Sequence, residues 1–285
     1  MEVLQERVER LRRLFAGLDQ VQFYPLMADI HSSWNFADEL RLAVRELLWK
    51  CLRSSYPDIG PLHEDDFLKR YAKELHALPN RTPNGRLVIQ EDQQHEFDHV
   101  QDCIGRIVEA LHIEPHVTKI QCPAILRVQS GWQENSADSR PYATSKLHSD
   151  IWTGEPADCA TLIIPVMGDL DKSGMDFFDP IFDSYSDFVK TYTDYRDTEK
   201  IARAGNRYPC ELTPNHVYAF DSFCLHRTRK QGGGIRVSID LRIVYKDKLE
   251  TDVERLAERL ANYITMEEWQ RVLRTTRSVL TTCKP

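Results

Sequence analysis

The sequence lacks the features of several specialised protein classes. It contains no apolar run approaching the roughly 18 residues of a membrane-spanning helix, so we expect a soluble protein without a membrane partner. Its seven cysteines include no C-x-x-C pair, which argues against a disulfide framework and against a structural zinc site. Its net charge of −7 provides no broad basic surface, and we therefore do not expect nucleic acid as a partner.

The start of the chain and the absence of linkers favour one cytoplasmic domain. The segment MEVLQERVERLRRLF alternates acidic and basic residues around Leu, Val and Phe, which is typical of an amphipathic helix and not of a cleavable signal peptide. No low-complexity linker, proline-rich run or repeat divides the 285 residues. We therefore predict a single domain covering 1–285.

Three regions of different periodicity follow one another along the chain. Residues 1–115 show helical spacing of apolar residues and are predicted to form helices that pack on a core. Residues 117–247 contain short β-branched and aromatic segments separated by Pro, Gly, Asn and Asp, and are predicted to be that core. Residues 249–285 are again helical in pattern, and these helices could pack on the core or form a homodimer. Strands without regular helix alternation favour a mainly β sandwich or barrel with helical additions.

Residues 176–207 do not fit the strand pattern around them. They combine many aromatic residues with many aspartates, and we interpret them as an insertion lying over the mouth of the barrel. The aromatic residues could pack this insertion on the barrel and leave its acids in solvent. Alternatively, the insertion could be a lid whose acids attract a cationic substrate.

The segment HEFDH at 95–99 matches H-E-x-x-H, the pattern that places two zinc ligands one helical turn apart. On a helical wheel, His95 and His99 fall nearly opposite the apolar face of their helix, and Asp98 occupies a position that is uncharged in zinc peptidases. No obvious third ligand follows. We interpret this segment as a solvated helix face. The apolar face consists of Phe97, Val100, Ile104, Ile107, Val108 and Leu111.

A second pattern with metal-ligand chemistry lies in the β region, where KLHSDIW contains His148-x-Asp150. In a strand, side chains two residues apart project from the same face, so this pair can chelate one ion. A facial triad of two histidines and one carboxylate, which leaves three positions of iron(II) open, needs one more histidine. His226 in YAFDSFCLHRT is the best candidate because it follows an apolar strand, and His216 is the alternative.

The segment GGGIRVSIDLRIVYK alternates strictly between apolar and polar residues. The polar row could be a solvated outer face, or it could line a cavity, where a buried arginine would demand an anionic partner. Arg236 offers a two-pronged donor that matches a carboxylate, and the hydroxyl of Ser238 could add a further bond. This Arg-x-Ser pair therefore predicts a carboxylate clamp beside the metal, and Arg242 on the same face is the alternative.

The chain thus contains His148-x-Asp150, then His226, then Arg236-x-Ser238. In kind and order, these residues resemble the site residues of the iron(II)/2-oxoglutarate-dependent oxygenases. The resemblance covers about 117–247 and implies a double-stranded β-helix, that is, a jelly-roll or cupin-like barrel. It also implies a catalytic Fe(II) held by the first three residues, 2-oxoglutarate held by Arg236 and Ser238, and O₂ as the third reactant.

The resemblance further implies oxidation of an unactivated C–H bond, by hydroxylation or by a related cyclisation or desaturation. We expect a small polar metabolite of secondary metabolism as the substrate, with or without an amine, and with Arg127 and Trp152 as candidate substrate residues. Trp152 could equally be a barrel-core residue, and Arg127 could form a surface ion pair. Two alternatives remain open: a cupin-like metalloenzyme that does not use 2-oxoglutarate, and a non-catalytic jelly-roll binding protein.

Overall fold

Helices from both ends of the chain pack on a β core. The computed structural model describes residues 2–31, 37–61, 66–131, 140–250, 252 and 262–282. In that part of the chain, none of the helices is both long and apolar enough to cross a membrane. The α-helices are α1 (Glu2–Leu14), α2 (Ala37–Ser55), α3 (Phe67–Arg70), α4 (Ala72–His76), α5 (Gln94–Ala110), α6 (Tyr185–Phe188) and α7 (Met266–Thr282).

The strands form two antiparallel sheets. In chain order they are β1 (Val21–Phe23), β2 (Met27–His31), β3 (Val117–Gln121), β4 (Ile125–Ser130), β5 (Cys159–Gly168), β6 (Met175–Phe182), β7 (Ala202–Arg207), β8 (His216–Asp221), β9 (Leu225–Thr228), β10 (Ile235–Tyr245) and β11 (Tyr263–Thr265). The larger sheet has the order β1-β2-β8-β5-β10-β3-β11, and the smaller has the order β7-β6-β9. Strand β10 is long enough to pair with β5 along one edge and with β4 and then β3 along the other.

The connections alternate between the two sheets. From β4 the chain passes to a bridge at His148 beside β9, then to β5 in the larger sheet, β6 and β7 in the smaller, β8 in the larger, β9 in the smaller and β10 in the larger. The core orders are therefore β4-β10-β5-β8 facing His148-β9-β6-β7. This is the topology of a double-stranded β-helix, or jelly roll, with the fourth strand of the smaller sheet reduced to one bridge. The predicted fold class, a mainly β core with helical additions, is confirmed.

The strict alternation in β10 decides which residues face the space between the sheets. Its alternate apolar residues are at most 2% exposed and belong to one hydrophobic cluster with α2 and α5, namely Ile235, Val237, Ile239, Leu241 and Ile243. Its polar row, Arg236, Ser238, Asp240 and Arg242, therefore points to the other side, into the barrel. Gly168 ends β5 opposite Arg236 with a φ of +107°, and a Cβ there would lie 1.9 Å from the carbonyl oxygen of Ile235. Only glycine permits this close approach.

The N-terminal region is less purely helical than its pattern predicts. It contributes β1 and β2 to the larger sheet, where β2 pairs with β8. These strands have three and five residues, which is too short for their period to stand out in the sequence. The predicted helix through EDDFLKRYAKELHAL is two short helices, α3 and α4, separated at Tyr71.

The C-terminal region also differs in part from its prediction. Most of the predicted helix TDVERLAERLANYI lies outside the described residues, at 251 and 253–261. Its last two residues, Tyr263 and Ile264, belong to β11, which pairs with β3. The following helix, α7, buries Trp269 and Leu273 in the same cluster as α5, and Leu273 contacts Gly105.

The boundaries predicted for the insertion, 176–207, need correction. Both ends of this range are core strands, β6 and β7, which pair with each other in the smaller sheet. The segment between them contains α6 and a 3₁₀-helix (Tyr195–Lys200). The prediction failed because Asp176 and Asp179 interrupt the apolar pattern of β6, where Asp176 is buried against Arg207 and Arg227.

Candidate metal centre

Three predicted ligands, His148, Asp150 and His226, come together between the two sheets. The backbones of His148 and His226 form a reciprocal pair of hydrogen bonds of 3.0 and 2.8 Å, and Asp150 begins a 3₁₀-helix (Asp150–Thr153) immediately afterwards. One ligand atom from each side chain lies within 4.8 Å of the others, and all three side chains are buried. In the part of the chain that the structure describes, no other group of three or more His, Cys, Asp or Glu residues has this geometry.

Both histidines are oriented by backbone carbonyl groups. Nδ1 of His148 donates to the carbonyl oxygen of Lys146 at 2.8 Å, and Nδ1 of His226 donates to that of Cys224 at 3.1 Å. Burial lowers the pKa of His148 to about 3, helped by the neighbouring His226, and burial also lowers the pKa of His226. Each ring is therefore neutral, with the lone pair on Nε2, which is the form that binds metals.

The carboxylate of Asp150 is held through one of its two oxygens. Oδ2 accepts a hydrogen bond from Oγ1 of Thr161 at 2.7 Å and another from Nη2 of Arg242 at 3.4 Å. Oδ1 lies 3.7 Å from Nε2 of His226. Burial acts to raise the pKa of Asp150, but the charge of Arg242 and the hydrogen bond from Thr161 act against it, and the pKa lies below its usual range. Asp150 is thus ionised, and Oδ1 is the oxygen available to a metal.

A cavity of about 400 Å³ opens beside these ligands. Arg236 lines it at only 2% exposure, and its Nε and Nη1 atoms have no hydrogen-bond partner among the described residues. The hydroxyl of Ser238, two residues further along the same face, also lacks one. An unpaired buried guanidinium costs free energy, so this end of the cavity suits an anion.

The two other arginines considered as carboxylate ligands already have acidic partners. Arg127 lines the cavity, where its Nε contacts Oδ2 of Asp240 and its Nη1 donates to the carbonyl oxygen of Asn84 at 2.8 Å. Arg242 contacts Asp150. The structure therefore favours Arg236 over Arg242 as the clamp, because Arg236 alone of these three arginines has no ion pair with an acid among the described residues.

Trp152 does not lie on the strand face that the sequence suggested. Because Asp150–Thr153 is a 3₁₀-helix, the Trp152 side chain turns away from the cavity and is absent from its lining. It is 1% exposed, its Nε1 donates to the carbonyl oxygen of Phe188 at 2.8 Å, and its ring packs edge-on against the Phe188 ring. This environment is that of a core tryptophan.

Sequence reasoning missed two residues that support the ligands. Thr161 binds Asp150, and the only available signal was a hydroxyl within the apolar strand CATLIIPVMG. Tyr195 stacks on the ring of His148, with centroids 4.4 Å apart and an angle of 19° between the planes. Tyr195 comes from the segment between β6 and β7, and no pattern in the sequence places it beside His148.

The remaining histidine candidates lie elsewhere. His216 hydrogen-bonds Oδ1 of Asp29 through Nδ1 at 2.6 Å and packs on His31, at the end of β8 away from the ligand cluster. His95 is exposed on α5, with its ring 5.0 Å from that of His99. Neither His216 nor the HEFDH segment belongs to the cluster.

Comparisons with known proteins find similarity in structure only. No family model and no curated protein matches this sequence. The structure of AviO1 from Streptomyces viridochromogenes Tue57 is 14% identical to this chain, covers 88% of this chain and 97% of that one, and has a TM-score of 0.43.

Two further similar structures are enzymes from nogalamycin biosynthesis described as non-heme and alpha-ketoglutarate dependent. The carbocyclase SnoK is 12% identical over 84% of this chain and 83% of that one, with a TM-score of 0.40. The epimerase SnoN is 10% identical over 90% of this chain and 93% of that one, with a TM-score of 0.38. At these TM-scores the similarity adds nothing to the geometry of the site, from which the function is inferred below.

Proposed function

We propose that this protein is a non-haem iron(II)/2-oxoglutarate-dependent oxygenase that oxidises an unactivated C–H bond of a small polar metabolite. The observation that carries the proposal is one cavity containing both a His-Asp-His cluster and a buried arginine, two of whose donor atoms have no partner in the described part of the chain. A metal site alone would suit many cupin-like proteins. The unpaired Arg236 adds a place for the carboxylate of a co-substrate.

The residues present fit both groups. His148, Asp150 and His226 supply two neutral nitrogens and one anionic oxygen from one side, the donor set that non-haem iron(II) prefers. Arg236, with Ser238, would bind the distal carboxylate of 2-oxoglutarate through its free Nε and Nη1 donors. When bound, the iron, 2-oxoglutarate and O₂ together supply the oxidising chemistry.

The protein supplies orientation and a dry environment. The carbonyl oxygens of Lys146 and Cys224 orient the imidazoles, and Thr161 with Arg242 leaves one oxygen of Asp150 for the metal. The rings of Phe220 and Phe177 pack against His226 at centroid distances of 4.7 and 6.3 Å and exclude water from that side. No side chain needs to act as a general base when a hydrogen atom is removed from a C–H bond.

The acidic residues behind the idea of an amine-bearing substrate do not line the cavity. Asp176 is buried against arginines, Asp179 accepts a hydrogen bond from the Tyr208 hydroxyl, and Asp187 pairs with Lys190. We therefore omit the amine from the proposal. Hydroxylation, cyclisation and desaturation of a secondary metabolite remain possible outcomes of the same site.

Anaerobic addition of iron(II) and then 2-oxoglutarate to the purified protein tests the proposal. We expect the weak visible charge-transfer band of the iron chelate, followed, once air is admitted, by oxygen-dependent formation of succinate. Iron binding without the band would favour a cupin-like metalloenzyme that does not use 2-oxoglutarate. Failure to bind iron at all would favour a non-catalytic binding protein.

A further inference from the structure

Two arginines face each other at the outer end of the cavity. An antiparallel bridge pairs Arg86 with Arg127, because residues 85–87 extend the larger sheet beyond the edge of β4. Both side chains line the cavity. Like charges directly opposite each other on one sheet face destabilise it, so this pairing calls for compensating negative charge.

The acids that line the cavity compensate only one arginine of this pair. Arg127 has Asp240 as its partner, whereas no acidic side chain among the described residues contacts the guanidinium of Arg86. The two remaining lining acids are committed elsewhere, since Asp150 contacts Arg242, and Glu155 accepts from Tyr263 at 2.7 Å and lies 3.8 Å from Arg242.

The bound groups of the proposed function do not change this balance. The two positive charges of iron(II) and the two negative charges of 2-oxoglutarate cancel, and the distal carboxylate of 2-oxoglutarate lies at Arg236, at the buried end. Among the described residues, four arginines and three acids line the cavity, so one positive charge remains in excess in this part of the lining. That charge is on Arg86, at the exposed end.

We infer that the substrate carries an anionic group, a carboxylate or a phosphate, that binds between Arg86 and Arg127 while the rest of the molecule extends toward the metal ligands. The inference rests on the proposed function and names the substrate class of that same site. The Arg86 guanidinium matches the oxygens of both anions through paired donors, and Arg127, whose Nε and Nη1 already have partners, adds its charge and its Nη2 donor. A cationic substrate would find no free carboxylate among the described residues that line the cavity.

Neighbouring groups already hold the pair in place for such a ligand. The carbonyl oxygen of Asn84 accepts hydrogen bonds from Nη1 of Arg127 and Nε2 of Gln129, both at 2.8 Å. Oγ1 of Thr82 accepts from the backbone N–H of Arg86 at 3.0 Å. The backbone beneath Arg86 is thus held in place, and its exposed side chain is accessible to a ligand.

Calorimetry on the protein loaded with Ni(II) and N-oxalylglycine, an inert analogue of 2-oxoglutarate, tests the inference without turnover. The probes are phenylacetate, phenyl phosphate, phenylacetamide and phenethylamine, which share a ring and differ in charge. We expect at least one anion to bind about tenfold or more tightly than the amide and the amine, as one charge-assisted pair of hydrogen bonds would give. Whichever of phenylacetate and phenyl phosphate binds more tightly shows whether the anionic group of the substrate is a carboxylate or a phosphate.

Two variants locate the effect. Arg86→Gln should reduce the preference for the anion about tenfold and leave N-oxalylglycine binding unchanged, which also shows that the variant is folded. Arg203→Gln, an exposed arginine on β7 that does not line the cavity, should change neither.

Binding of no anion better than the amide, or an unchanged preference in Arg86→Gln, would overturn the inference while leaving the proposed function intact. Failure of the wild-type protein to bind Ni(II) and N-oxalylglycine would instead overturn the proposed function, and this inference with it.

Discussion

The HEFDH segment on α5 and the site between the sheets each combine two histidines with acidic residues, and of these two sets only the second has the geometry of a metal site. On α5, His95 and His99 lie on the outer side of a helix whose other face is buried. Between the sheets, His148 and His226 are buried side by side, and backbone carbonyl oxygens hold their Nδ1 atoms. The residue types are the same, but only the second set is desolvated, oriented and joined by a buried acid.

The difference shows that the surroundings of a ligand matter as much as its spacing. His95 is exposed and His99 is only half-buried, so binding a metal there would cost side-chain entropy to order them. At the sheet site, that ordering is complete before a metal arrives, because the hydrogen bonds to carbonyl groups and the stacked Tyr195 fix the rings.

The largest predicted effect separates the two sets directly. His148→Ala should weaken iron(II) binding by more than about 100-fold, since loss of a ligand exceeds the 10- to 100-fold cost typical of losing a ligand's hydrogen-bond partner. The double variant His95→Ala/His99→Ala should bind iron as the wild type does. Competition with a chromophoric chelator under argon measures the iron(II) affinity of both variants. Equal losses of affinity in the two would contradict the assignment of the metal site to His148.

The second prediction separates the metal from the carboxylate clamp within the sheet site. Arg236→Gln should weaken 2-oxoglutarate binding about 10- to 100-fold, because it removes charge-assisted donors from a buried carboxylate. Iron affinity should stay the same, since Arg236 does not contact the three ligands. Anaerobic titration of the charge-transfer band gives the first value and chelator competition the second. A parallel fall in both affinities would indicate misfolding.

The third prediction concerns the support of Asp150, which has no counterpart on α5. Thr161→Val should lower iron affinity about tenfold, because Oδ2 of Asp150 loses its shortest hydrogen bond and the carboxylate can rotate. Thr161→Ser keeps the hydroxyl and should restore wild-type affinity in the same titration. If serine fails to rescue, packing of the threonine methyl group matters more than its hydroxyl.

The smallest expected effect tests the ring stack on His148. Tyr195→Leu should lower iron affinity about two- to tenfold, the range expected for loss of one aromatic contact, whereas Tyr195→Phe should have no effect. Tyr192→Leu serves as a matched control, since Tyr192 comes from the same segment but packs on Trp152. A loss as large in the control would assign the effect to folding of the segment.

Local patterns in the sequence predicted much of the fold, and the strands that the prediction missed carry no strong pattern of their own. The long amphipathic helices α1, α2, α5 and α7 and the strands β5, β8 and β10 each carry a strong period of their own. The short strands β1, β2 and β11 were missed because three to five residues carry almost no period. Strand β6, at the start of 176–207, was missed because the arginine partners of its Asp176 are distant in sequence, and β7, ARAGNR, has no apolar alternation to indicate a strand.

Local patterns along the chain identify the kinds of residue that can hold a metal and an anion, and which face of β10 is polar. The spacing of His148 and Asp150 and the alternation around Arg236 are local properties, so they survive without knowledge of the fold. Only the tertiary structure decided that His226 meets His148, that Thr161 and Arg242 hold Asp150, and that Arg86 lies opposite Arg127. Those pairings join residues far apart in the chain, and strand register between sheets fixes them, which no local pattern encodes.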